Sequence, residues 1–203
     1  MTKCCKELPS HPEETKSEES THVVERIKHP LEHVWGMWLY ADISKNWQEN
    51  LTELTHFDTV EDYWCLYHHM KPPSELAPGW QYSVFKQGVR PEWEDAANRR
   101  GGRWLITLEK RNCDEMDRIW VDVVLLMIGE NFEDANSAIC GAVVNGKAKQ
   151  NKSKIGIWVA DKNNEKANMK IGRKIKEVLG KSWKITFHAH NSSVTMYSVK
   201  EIS

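Results

Sequence analysis

The stretch Arg90-Pro91-Glu92-Trp93-Glu94-Asp95-Ala96-Ala97-Asn98-Arg99-Arg100-Gly101-Gly102-Arg103-Trp104, continued by Leu105-Ile106-Thr107-Leu108, carries the most information in this chain of 203 residues. Pro91 fixes its own φ and biases the residue before it away from helix, so the segment reads as a loop. That loop offers an indole, Trp93, directly beside a carboxylate, Glu94. An aromatic face can stack on a planar ligand while the carboxylate accepts two parallel N–H donors, the pair of contacts that suits a guanine-type base edge. A plainer reading makes Trp93 a buried anchor, Glu94 a solvated charge and Gly101-Gly102 a hairpin turn. Beyond that tight turn, Trp104 to Leu108 reads as a strand.

Upstream, Val34, Trp35, Met37, Trp38, Leu39 and Tyr40 alternate as a strand with both faces covered. A polar loop, 42–47, follows and ends in a second exposed ring, Trp47. Asp58 or Thr59 caps a helix that runs to about Met70, apolar at Val60, Tyr63, Trp64, Tyr67 and Met70; on this spacing Trp64 is a core residue. His68 and His69 are adjacent and do not share a helix face, so no metal is expected there. Tyr82, Val84 and Phe85 make a short strand. Downstream, a second helix starts at Asp114, apolar at Met116, Ile119, Trp120, Val123, Val124, Met127 and Ile128. Ile139–Val144 and Ile155–Val159 are strands joined by a lysine-bearing hairpin arm. A third helix spans 164–179 and buries Ala167, Ile171, Ile175, Val178 and Leu179; two further strands, 184–188 and 194–199, end the chain. Strands interrupted by three amphipathic helices, without regular βαβ repetition, predict an α+β fold: an antiparallel sheet with helices on one face.

The length suits one domain, 29–203, preceded by a polar, disordered tail, 1–28. Ten tryptophans outnumber five tyrosines and four phenylalanines, so some indoles serve a purpose beyond filling space. Five cysteines without CxxC spacing, and no apolar targeting run, point to a reduced intracellular setting. No window reaches the roughly 18 apolar residues needed to span a bilayer. The formal charge of −1 hides segregation: residues 145–184 carry twelve Lys or Arg against three acids, a net +9, which leaves −10 for residues 1–144. Such a positive region suits a polyanion. GxSxG, HExxH, a GxGxxG after a strand and Cys/His clusters at zinc spacing are all absent, and Gly180-Lys181-Ser182 only imitates a phosphate loop. The residues therefore describe a binding module for a nucleotide or an RNA end rather than an enzyme, with no cofactor. A nucleotide-hydrolysing or decapping enzyme, the competing class, would need a metal-binding acidic cluster.

His29-Pro30-Leu31 with Trp35 and Trp38, Asn46-Trp47, Phe57-Asp-Thr-Val-Glu-Asp-Tyr-Trp64, Trp93-Glu94-Asp95, Arg100-Gly-Gly-Arg-Trp104, Cys140-Gly-Ala-Val-Val-Asn145 and Ile157-Trp158 together resemble the eukaryotic translation initiation factor 4E family. That family binds the 7-methylguanosine cap of mRNA. The resemblance covers roughly residues 28–180 and implies a curved antiparallel β-sheet with three α-helices packed on its convex face and the cap in the concave slot. It implies that Trp47 and Trp93 sandwich the base, Glu94 accepts its N1 and N2 hydrogens, Trp158 lies against the methyl group, and Arg103, Lys147, Lys149 and Lys154 meet the triphosphate. It places partner docking, by helical peptides with a tyrosine and a downstream leucine, at His29, Pro30, Val60, Trp64, Asp122, Leu125 and Gly129. The partners implied are a scaffold initiation factor and inhibitory binding proteins. The chain departs from the family at Lys147, where arginine is frequent, at Asp122, where glutamate is usual, in a longer lysine arm, and after Trp183, where the family's mobile loop is not recognisable. The expectation is a monomeric, cytoplasmic and also nuclear cap receptor that recruits a scaffold for translation initiation. A cap-binding repressor of the same family is the neighbouring reading.

Overall fold

The structure, a computed structural model, describes residues 27–109, 113–146, 152–180, 183–190 and 192–199. The expected tail, 1–28, falls almost wholly outside these residues, and so do Lys147 and Lys149.

Eight strands form one sheet: β1 (Pro30–Tyr40), β2 (Leu51–Thr59), β3 (Gln81–Lys86), β4 (Gly102–Glu109), β5 (Ile139–Asn145), β6 (Lys152–Val159), β7 (Ile185–Ala189) and β8 (Thr195–Ser198). They lie in the order β2-β1-β3-β5-β6-β4-β7-β8, and every neighbouring pair is antiparallel. Three helices cover the convex face, α2 (Val60–His69), α3 (Cys113–Ile128) and α4 (Glu165–Leu179), as the α+β reading expects. A four-residue helix, α1 (Trp47–Asn50), was not foreseen; it turns the end of the polar loop into a helical corner.

Alternation assigns the two faces. Trp104, Ile106 and Leu108 of β4 and Ile155, Ile157 and Val159 of β6 point into the main core with Trp35 and Met37 of β1. They meet the α3 stripe of Met116, Ile119, Trp120, Val123, Val124, Met127 and Ile128, all buried as its three- and four-residue spacing requires. Helix α4 approaches β4 so closely that a Cβ on Gly172 would stand 2.4 Å from Cζ2 of Trp104, while the Trp104 indole N–H donates to the Asn168 carbonyl at 2.9 Å. Thr59, one of the two expected caps, accepts from the Asp62 N–H at 3.2 Å, and Asn164, expected as the first residue of the third helix, caps it instead by accepting from the Ala167 N–H at 3.2 Å.

Four expectations change. Strand β2 escaped the sequence because it is an edge strand on which Phe57 alone is buried. Val178 is exposed, since it lies on the outer side of α4. Trp64 is only half-buried, packed against the rim of the core. Gly101 and Gly102 make no left-handed turn. They are glycines because strands crowd them: an added Cβ would meet the Val159 carbonyl oxygen at 1.9 Å from Gly101 and the His188 carbonyl oxygen at 2.6 Å from Gly102.

Candidate nucleotide-binding slot

The face away from the helices carries its own small cluster of Phe85, Cys140, Val143 and Trp158. Above it a slot of about 120 Å³ opens between two loops, and its lining includes Trp47, Trp93, Trp158, Tyr40 and Ser83. Trp47 and Trp93, 42% and 51% exposed, are among the few large apolar side chains of the described residues left open to solvent. Exposing two indoles on opposing loops forgoes the burial their area would gain, which is why such rings mark binding surfaces. Trp158, by contrast, is buried, with Phe85 edge-on to it at 5.3 Å.

Each wall is held by an asparagine. In residues 41–50, Asn50 Oδ1 accepts from the Ser44 N–H at 2.7 Å and the Ile43 N–H at 3.3 Å, while its Nδ2 donates to the Ser44 carbonyl at 2.8 Å. Asn46 caps the corner by accepting from the Gln48 N–H at 3.2 Å, and the Tyr40 ring lies 5.7 Å from the Trp47 ring, tilted by 33°. In the other loop, fully buried Asn98 donates through Nδ2 to the carbonyls of Arg90 and Glu92, both at 2.8 Å. Asp95 accepts from the Arg90 N–H at 3.2 Å and the Ala97 N–H at 2.8 Å. The Arg90 guanidinium pairs with Glu92 at 2.6 Å and lies over Trp38 at 5.5 Å. The sequence reading gives Asn50 and Asn98 no role and Tyr40 only a place in a strand.

Glu94, next to Trp93, is exposed and makes no hydrogen bond or ion pair among the described residues; it does not line the slot, although its chain neighbour Trp93 does. Arg103 of β4 sits directly across from Trp158 of β6 and His188 of β7. It is half-buried without a paired carboxylate among the described residues, and loss of water pulls its pKa below the usual arginine value. An unpaired, part-desolvated cation in a concave face is an anion site in waiting. Lys154 shares Trp158's side of β6 and is exposed. Positions 147 and 149 lie outside the described residues, and Lys154, expected on the arm, is a strand residue of β6 paired with Asn145 and Thr107 and does not line the slot.

The expected partner positions lie on the opposite side in two groups. The Val60 N–H donates to the His29 carbonyl at 2.9 Å, and Pro30 pairs with Thr59, so His29, Pro30 and Val60 form one corner. Glu61 clasps that corner, accepting from the His29 N–H at 2.8 Å and lying 2.6 Å from His29 Nδ1; these hydrogen bonds hold its carboxyl down at about 2. Trp64 stacks on His68 at 6.1 Å. Asp122 and Leu125 lie on α3, with Asp122 3.5 Å from Arg118, and Gly129, just past the helix end, donates its N–H to the Leu125 carbonyl at 3.0 Å. Trp64 and Leu125 pack on the same core cluster.

The model of the family described as eukaryotic initiation factor 4E matches residues 30–203. The chain is 49% identical over 170 residues to eukaryotic translation initiation factor 4E1 of Drosophila melanogaster, a match covering 82% of this chain and 64% of that longer protein. Its fold superposes on Ascaris suum eIF4E-3 in complex with the m7G cap with a TM-score of 0.81 and 37% identity, covering 87% of this chain and 100% of that one. C. elegans eIF4E-3, complexed with the 4E-binding protein Mextli and a cap analog, gives a TM-score of 0.79 at 33% identity over 85% and 100% of the two chains. The chain belongs to the eukaryotic initiation factor 4E family.

Proposed function

We propose that this protein is a receptor for the 7-methylguanosine cap of mRNA that binds without chemistry and recruits a scaffold protein for translation initiation. The observation that carries the reading is the slot itself, where two solvent-exposed indoles, Trp47 and Trp93, stand over a third, Trp158. Methylation at N7 makes guanine cationic, which strengthens stacking on electron-rich rings and pairing with a carboxylate. Trp47 and Trp93 flank the base, Glu94, beside Trp93 in the chain, accepts from N1 and N2, and Trp158 faces the methyl. Arg103 and Lys154, with Lys147 and Lys149 of the arm, meet the phosphates. Each stack contributes about 1 to 3 kcal/mol, and a charge-assisted hydrogen bond about 1.5 to 3 kcal/mol. Two rings and one carboxylate then account for much of the roughly −8 kcal/mol of a micromolar complex.

On the opposite side, His29, Pro30, Val60, Trp64, Asp122, Leu125 and Gly129 take a partner helix bearing a tyrosine and a downstream leucine. That the C. elegans relative is complexed with a 4E-binding protein supports this assignment.

The test is a titration of methylated and unmethylated guanosine triphosphate followed by tryptophan quenching. The methylated ligand binds at least about tenfold tighter, as one lost charge-assisted contact requires; equal quenching by the two overturns the reading. Glu94→Ala loses at least about tenfold in cap affinity with an unchanged melting temperature. Cap analogue incubated with the protein and magnesium is recovered intact, and released nucleotide would show an enzyme instead. Trp64→Ala abolishes capture by an immobilised partner peptide and leaves cap affinity unchanged.

A further inference from the structure

The chain leaves β7 at His190, and this histidine is buried, at 8% exposure, with neither ring nitrogen finding a partner among the described residues. Its ring centroid lies 4.1 Å from that of Trp158, tilted by 46°, the shortest ring-to-ring separation among the described residues. Its other influential neighbour is the Arg103 guanidinium: burial first, and that positive charge second, pull its pKa down to about 4, so at neutral pH the imidazole carries no charge. Two unpartnered buried nitrogens are a costly way to fill space that an apolar side chain would fill better. The ring is kept where its neighbours are the indole at the floor of the slot and the cation beside it, and it does not line the slot itself. Phe85 meets Trp158 only edge-on, at 84°, which leaves His190 as its closest ring neighbour.

We propose that His190 is a positioning residue for the cap: a small, flat, neutral ring that fixes the plane of Trp158 and so sets how sharply the slot separates methylated from unmethylated base. This rests on the cap reading above. The imidazole gives the indole a close, rigid ring to rest on, tilted by 46° to it, and being neutral it adds no second cation beside Arg103. A cation there would compete for the π density that a methylated, positively charged base draws on. Loss of the ring lets the indole tilt, and the penalty falls on the methyl contact, leaving the phosphate contacts alone.

The experiment measures affinities of the full-length protein for methylated and unmethylated guanosine triphosphate, and for methylated guanosine monophosphate. Wild type, His190→Ala, His190→Phe and His190→Gln are compared by calorimetry. His190→Ala reduces the ratio of methylated to unmethylated affinity by roughly three- to tenfold, the scale of one cation–π contact, and leaves the ratio of triphosphate to monophosphate unchanged. His190→Phe, which restores a flat neutral ring, recovers most of the discrimination. His190→Gln, which fills the volume without a ring, fails to recover it, and it stands in for the alanine variant should that one not fold. A fall in affinity for all three ligands by one common factor overturns the proposal as a general loss of packing. A loss shared by His190→Phe and confined to the triphosphates overturns it in favour of a phosphate contact through the imidazole nitrogens. A wild-type protein that does not discriminate by methylation sinks the cap reading itself, before any variant is compared.

Discussion

The two walls of the slot present the same side chain and are built differently. Trp47 is supported through its ring: it leans on Tyr40, begins a helical corner, and sits on a loop between β1 and β2 that Asn50 ties at four points. Trp93 has no ring neighbour among the described residues, and the backbone that carries it is held by the Asn98 and Asp95 side chains. Asn98 spends both Nδ2 hydrogens on the two carbonyls, and its Oδ1 is buried without a partner among the described residues. The first wall has a ring as well as an amide behind it, and the second has only side chains that hold its backbone. A side chain free to rotate loses rotamer entropy when a ligand fixes it, so the Trp93 wall carries more of the ordering penalty of binding.

Removing either ring has the largest expected effect. Trp93→Ala and Trp47→Ala each weaken cap binding by about 1 to 3 kcal/mol, the value of one base stack, read by calorimetry because the variants change the fluorescence. Wild-type affinity in either would mean that the base lies elsewhere. The asparagines separate the walls further. Asn98→Ala removes both hydrogen bonds that a fully buried amide makes to the Arg90 and Glu92 carbonyls and loses about 1 to 3 kcal/mol of stability, seen as a lower urea midpoint, together with cap affinity. Asn50→Ala is destabilised on the same scale yet keeps more of its cap affinity, because Trp47 still rests on Tyr40. If Asn50→Ala proves the worse binder, the walls do not differ in the way their contacts indicate.

What the sequence revealed follows from how far each signal reaches. The alternation of Trp35, Met37 and Leu39 against Trp38 and Tyr40 was legible because both faces of β1 are covered, one by the helices and one by the slot. Helix α3 was legible because its whole stripe is buried. Strand β2 was not, since an edge strand with solvent on most sides needs no apolar alternation. The rings at 47 and 93 stood out by composition and by their neighbours, but Asn50 and Asn98 did not: only the folded loop shows which of many asparagines is buried and bonded. Gly101 and Gly102 were noticed for the wrong reason, because crowding by β6 and β7 depends on residues more than fifty positions away. His190 left no mark in the sequence, since its neighbours Trp158 and Arg103 arrive from two other strands.

The smallest expected effect tests the ring support directly. Tyr40→Leu keeps an apolar side chain at the slot and removes the ring against which Trp47 leans, so cap affinity falls by about 0.5 to 1.5 kcal/mol, the worth of an aromatic pair beyond its area. Tyr40→Phe keeps the ring and removes only the long 3.4 Å bond in which the Tyr40 oxygen accepts from Asn50, and its affinity stays close to wild type. Tyr40 also lines the slot, so its loss has a second route to the ligand that bypasses Trp47. A double-mutant cycle divides the two routes: if support of Trp47 is the cause, Tyr40→Leu changes nothing once Trp47 is alanine. If the loss persists in full in the Trp47→Ala background, Tyr40 acts on the ligand itself, and the wall at 47 is as lightly supported as the wall at 93.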